Sequence, residues 1–260
     1  MAENKDYAPA ELIACFFSRQ FADGEFIGVG AASQIPMAAI KLARISRAPN
    51  ITFSCGGSGA INSEQPLLTE SASDYRNLFG AEYRLSMEDT VEMEFRGRWK
   101  TVFFGGIQVD RFGNCNMVCV GDYENPKVRG PGAIGLPLAA AMDRVFISLN
   151  HHSRRNLVEK VDFVCAPGNS PEREKWATPN STGMHLIMTP LAVFDFQTPD
   201  RSARLASVHP GISVDEVLEK TGFTPTLADP VAETEPPTAD ELHLLRTVID
   251  REGVLQRLIA

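Results

Sequence analysis

An apolar, β-branched run that ends abruptly in glycine constrains this chain most. Ile51-Thr52-Phe53 leads into Ser54-Cys55-Gly56-Gly57-Ser58-Gly59-Ala60. Such a run reads as a buried strand. A loop without bulky side chains at its carboxyl end leaves room for a ligand, which is how α/β proteins present a site. The alternative is an ordinary strand-to-turn connection. The same texture returns at Phe103-Phe104-Gly105-Gly106-Ile107. It returns again at Gly130-Pro131-Gly132-Ala133-Ile134-Gly135, after Tyr123-Glu124-Asn125-Pro126-Lys127-Val128-Arg129. Three glycine-rich strand ends point to one composite pocket.

The flanking pattern is that of an α/β domain. Leu12, Ile13, Phe16, Phe17 and Phe21 recur at helical spacing after Pro9, which suits a first helical turn. Phe26 to Gly30 reads as a short strand. Ser33 then caps a helix from Pro36 to Arg47, followed by the strand at Ile51. Helices alternating with strands predict a largely parallel central sheet flanked by helices. Gly28-x-Gly30 does not make a dinucleotide site, because Ser33 stands where the third glycine belongs.

Further along, the acidic run Met87 to Phe95 reads as a solvated helix face. Trp99 to Phe104 resumes a strand, and Gln108 to Asn114 turns a hairpin whose return strand is Asn116 to Val120. A helix begins near Leu136 and ends by Met142, and Arg144 to Leu149 is a strand buried on both faces. Its end, Asn150-His151-His152-Ser153-Arg154-Arg155, is either an anion or acid–base site, or a turn holding a satisfied histidine. Val161 to Cys165 and Ala203 to Val208 read as strands, with a hairpin from His185 to Phe196 between them. Ser213 and Glu216 form a capping box for the helix Val214 to Thr221. Four prolines between Thr224 and Thr238 predict an extended, irregular segment, and Ala239 to Leu258 a final helix that Gly253 kinks. The expected organisation is thus a domain over 1–225, with a linker and helix over 226–260 packing on the domain or on a partner.

Composition removes several classes. A net charge of -8 without a basic run argues against nucleic acid. Five cysteines with no framework spacing indicate reduced thiols, and Cys115 and Cys119 lack a second ligand pair, so no metal is expected. No window approaches the roughly 20 apolar residues of a membrane helix. The polar N-terminus carries no targeting signal, so a cytoplasmic protein is expected.

Three segments carry a more specific likeness. They are Gly105-Gly106-Ile107-Gln108-Val109-Asp110-Arg111-Phe112-Gly113-Asn114, Asn125-Pro126-Lys127-Val128-Arg129-Gly130-Pro131-Gly132-Ala133, and His209-Pro210-Gly211-Ile212-Ser213-Val214-Asp215-Glu216-Val217. In this order the chain resembles the β subunits of family I CoA-transferases, the glutaconate type most of all. The resemblance implies the CoA-transferase α/β fold and a homologous α subunit, in a heterodimer or α2β2 heterotetramer, with the active site between subunits. It also implies a glutamate in the loop after the Ile51 strand, which attacks the acyl-CoA. Here that loop reads Ser54-Cys55-Gly56-Gly57 and holds no acid, and Glu64 stands well beyond it. In this respect the chain resembles a glutamate-lacking branch, the ring-opening CoA-thioester hydrolases of bacterial steroid catabolism. In that branch a carboxylate of the α subunit acts as base.

The resemblance therefore implies the β subunit of a hydrolase that opens a ring of a cyclic oxo-acyl-CoA, in cholesterol or steroid catabolism. Coenzyme A enters as part of the substrate, and no bound cofactor is expected. The substrate-binding set is Ser54, Cys55, Gly56, Gly57, Gly105, Gly106, Lys127, Arg129, Gly132 and Ala133. Backbone N–H groups of Gly56, Gly57, Gly132 and Ala133 are the candidate donors to developing negative charge. Lys127 and Arg129 are candidates for a substrate carboxylate or the CoA phosphates. The catalytic base is expected outside this chain. Cys55 is either a small wall residue or a thiol nucleophile. Two alternatives remain: a CoA-transferase subunit acting between dicarboxylic acids, and a non-catalytic stabilising subunit.

Overall fold

The structure is a computed structural model that describes residues 6–133, 135–179 and 181–258. The N-terminal run 1–5 and Ile134 of the third loop lie outside the described residues. The chain folds as mixed α/β with a mainly parallel central sheet flanked by helices. It divides into two compact units. One runs to Phe103 and takes up the chain again from Glu235; the other is Phe104–Thr234.

The first unit comprises α1 (Pro9–Ser18), β1 (Phe26–Val29), α2 (Gln34–Ser46), β2 (Thr52–Cys55), β3 (Ala60–Ile61), β4 (Tyr83–Arg84), α3 (Met87–Phe95) and β5 (Thr101–Phe104). β1 lies between β2 and β5, parallel to both. β3 folds back antiparallel on β2, and β4 on β3. Leu12, Ile13 and Phe17 of α1, and Met37, Ile40 and Leu42 of α2, are buried with Ile27 and Phe53 of the sheet. Each such side chain contributes about 1.5–3 kcal/mol of burial free energy. Ser33 occupies the N-cap of α2, but its side chain makes no capping bond.

The expected final helix is broken. It runs Ala239–Leu244, loosens into a π-turn over Leu245–Ile249, and restarts at Val254–Leu258. Asp250 causes the restart, accepting the backbone N–H groups of Val254 at 2.7 Å and Leu255 at 2.8 Å. This tail is tied to α1 of its own unit. Arg246 donates to the buried Glu11 at 2.8 Å, and Arg19 pairs with Glu241 at 2.5 Å.

The second unit holds β6 (Gln108–Asp110), β7 (Cys115–Asn116), β8 (Cys119–Val120), β9 (Val128–Arg129), β10 (Arg144–Ser148), β11 (Leu157–Val158), β12 (Met184–Met188), β13 (Ala192–Asp195), β14 (Arg204–Val208), α4 (Val214–Lys220) and β15 (Thr226–Glu233). β10 and β12 are parallel, β12 to β14 antiparallel, and β14 and β15 parallel. Four local expectations are corrected here. The proline-containing stretch is a strand, β15, whose register with β14 shifts between Leu205 and Ser207. Val161 to Cys165 is not a strand, and side chains hold it instead: Gln108 Oε1 accepts the Asp162 N–H at 3.0 Å. The helix near Leu136 is a 3-10 turn, Leu136–Ala140. Ser213 caps α4 by accepting the Glu216 N–H at 3.1 Å, but Glu216 turns its carboxylate to Lys220 and leaves the box half made.

Candidate active site

The end of β2 opens on a cavity of about 450 Å³ inside the first unit. Residues 54–59 form part of its wall; Arg84, Leu85, Ser86, Met87, Thr90 and Trp99 form the rest. The Gly56 N–H makes a last parallel rung with the Val29 carbonyl at 2.9 Å. Gly57 then turns the chain at φ +86°, where a Cβ would stand 2.1 Å from Ser73 Oγ. Only glycine takes that backbone without strain. The Gly59 N–H returns to the Cys55 carbonyl at 3.0 Å, and β3 begins. Among the described residues nothing accepts the N–H groups of Gly57 and Ser58.

Side chains alternate across the sheet. Cys55 and Phe53 look toward α2, whose Arg44 guanidinium lies 5.2 Å from the Phe53 ring centre. Cys55 is fully buried. Burial pushes its thiol up to about 12, although the Lys41 charge works the other way. Burial pulls the Lys41 amine down to about 8, and Lys41 Nζ donates to the Gln65 carbonyl. The thiol is therefore protonated at neutral pH and is a poor nucleophile.

Among the described residues no carboxylate lines the cavity. Glu64 is exposed and packs by Gly80, where an added Cβ would stand 2.6 Å from its carboxylate. The acidic helix α3 is largely solvated, as the sequence indicates, with no fully buried residue. Glu94 departs from that pattern. Its side chain is half-buried, and desolvation pushes its carboxyl up to about 7.

The other expected site residues belong to the second unit and are absent from the cavity wall. They are Gly105, Gly106, Lys127, Arg129, Gly132 and Ala133. Lys127 and Arg129 are exposed, with Arg129 Nη2 donating to the Tyr123 carbonyl at 2.8 Å and its guanidinium 5.1 Å from the Tyr123 ring centre. Two of the four candidate backbone donors are engaged. The Gly56 N–H meets Val29 O, and the Gly132 N–H meets Met117 O at 3.1 Å. His152 is the satisfied histidine of the two readings: Nδ1 meets Thr189 Oγ1 at 2.8 Å and Nε2 meets Thr221 Oγ1 at 3.0 Å.

Trp99 is the wall residue that sequence patterning overlooks. Its signal was present in Gly28, a glycine inside a strand, which marks close approach of another group. A Cβ at Gly28 would stand 2.1 Å from the indole.

Comparison with known proteins gives concordant matches. The coenzyme A transferase family profile matches residues 11–220. A 3-oxoadipate CoA-transferase subunit of Pseudomonas knackmussii is 32% identical over 252 residues, 93% of each chain. The cholesterol ring-cleaving hydrolase IpdB subunit of Mycobacterium tuberculosis is 29% identical, covering 96% of this chain and 98% of its own. Among solved structures, the decarboxylase AibA/AibB superposes with a TM-score of 0.85 at 30% identity, over 98% of this chain and 99% of the other. Glutaconate coenzyme A-transferase of Acidaminococcus fermentans gives 0.86 at 26% identity, over 98% of each.

Proposed function

This chain belongs to the coenzyme A transferase family, and on that premise we propose that it is the β subunit of a heteromeric hydrolase that opens a ring of a cyclic oxo-acyl-CoA in steroid catabolism. The cavity wall carries the reading. Storing an acyl group on this chain needs an accessible, ionised nucleophile; the described wall offers no carboxylate, and the Cys55 thiol is buried toward α2 and held protonated. Carbon–carbon cleavage by water does not need one. Two of the similar proteins bear names for carbon–carbon cleavage, a ring-cleaving hydrolase and, without water as reactant, a decarboxylase.

In this reading a carboxylate of the partner subunit activates water, which adds to a ring ketone. The adjacent C–C bond breaks, and its electrons pass into an enolate. The unengaged N–H groups of Gly57 and Ser58 would donate to that charge, since preorganised donors of this kind supply a large share of catalysis. A partner subunit agrees with the relatives' names, which describe one component of a heteromeric enzyme or, for AibA/AibB, a pair of components. It agrees also with the exposed Tyr75, Phe79, Tyr83 and Phe95 of the first unit. No helix among the described residues is long and apolar enough to cross a membrane, and we place the enzyme in the cytoplasm.

A second reading, a CoA-transferase subunit, is favoured by the 32% identity to the 3-oxoadipate enzyme. A CoA-exchange assay separates the two. With the co-expressed partner, the hydrolase reading requires ring opening and no transfer of CoA to added acetate, succinate or glutaconate. Transfer at a rate comparable to ring opening would replace it with the second reading.

A further inference from the structure

Two buried hydrogen-bond donors in the cavity wall have no acceptor. Ser54 Oγ and Trp99 Nε1 are enclosed, each residue 3% exposed, and neither atom has a partner among the described residues. Native proteins leave few such groups unpaired, because burying one without a partner is costly. A third such atom, Arg173 Nε, has a different explanation. It lies in the second unit on a guanidinium already donating to the Pro167 and Ala139 carbonyls.

The sheet brings the two donors together. Gly28 and Ser54 are register partners on parallel strands, so they look to the same face. The indole covers that face, overlying Gly28 and lying 5.5 Å from the Phe26 ring, centre to centre. The Ser54 hydroxyl therefore stands beside the indole, on the opposite side of the sheet from the Cys55 thiol.

We propose that Ser54 and Trp99 form a donor pair for a ring oxo oxygen of the substrate, so that these two residues set substrate specificity. The substrate class rests on the ring-opening reading above. A ketone oxygen has two lone pairs and accepts both bonds. A site built to hydrogen-bond a substrate oxygen rejects an analogue lacking it, because its own buried groups are then left unpaired.

The test uses the full chain in complex with its co-expressed partner. The probes are two non-hydrolysable CoA thioethers, one bearing an oxo-cyclohexyl ring and one its deoxo counterpart. Calorimetry should show the wild-type complex preferring the oxo compound by about 100-fold, at about tenfold for each bond. Ser54→Ala and Trp99→Phe should each cut that ratio about tenfold, by weakening the oxo compound alone. A merely structural role would move both compounds together. If Trp99→Phe fails to assemble, Ser54→Ala decides. A ratio unchanged by the substitutions overturns the donor pair, even in a complex that opens rings. A complex that shows the substitution-sensitive preference yet opens no ring supports the pair and removes the hydrolase reading.

Discussion

At the end of β2, the Cys55 thiol is fully buried. Desolvation holds it at about 12, and the Lys41 charge only partly offsets this. A thiol with so little thiolate at neutral pH, buried against α2, serves as packing. Cys55→Ala should therefore keep ring-opening activity within about tenfold, or about 1.4 kcal/mol of barrier. Mass spectrometry of the enzyme trapped during turnover should find no acyl group on Cys55. Loss of several orders of magnitude together with an acyl-thioester adduct would make Cys55 the nucleophile.

The elements show which part of the family likeness builds fold and which part builds site. In the segment Gln108 to Asn114, Asp110 Oδ1 accepts the N–H groups of Phe112 at 3.0 Å and Asn114 at 3.1 Å, closing the β6–β7 hairpin. In the His209 segment, Nδ1 meets Thr234 Oγ1 at 3.0 Å and Nε2 meets the Thr189 carbonyl at 2.8 Å, joining the ends of three strands. These signature residues are structural. His152 acts likewise, and burial pulls its pKa from 6.5 down to about 4. Between those values the unfolded chain binds the proton and the folded chain does not, so stability falls as pH drops from 6.5 toward 4. Denaturant midpoints across that range should fall less steeply in His152→Gln than in the wild type. Parallel slopes would remove His152 as the source. The strands and helices with clear periodicity, α1 to β2 and the β12–β13 hairpin, were legible in the sequence. β15 was not, because Pro230 reads as a breaker. It is tolerated because β15 lies at a sheet edge, where a missing N–H breaks no second ladder. The break at Asp250 was also hidden, since it depends on a carboxylate reaching two amides that periodicity does not register. Of the cavity wall, the β2 loop was legible and Trp99 was not. It precedes β5, which pairs with β1, and its indole reaches Gly28 from 71 positions away by residue number.

At the scale of the whole molecule, the proposed reaction requires a partner that supplies the base. Phe79 and Phe95 of the first unit are 63% and 61% exposed, which is unusual for side chains of that size. Phe79→Ser with Phe95→Ser should weaken association with the co-expressed partner by at least about tenfold, since buried aromatic anchors dominate interfaces. Sedimentation of the mixed chains reads this out, and unchanged affinity would move the interface elsewhere. The chemistry itself is tested by turning over a cyclic oxo-acyl-CoA in heavy-oxygen water and weighing the product. Hydrolytic C–C cleavage puts one solvent oxygen into a new carboxylate while coenzyme A stays attached, and that is the expected product. Free coenzyme A, or coenzyme A moved to another acid with the ring intact, would contradict it.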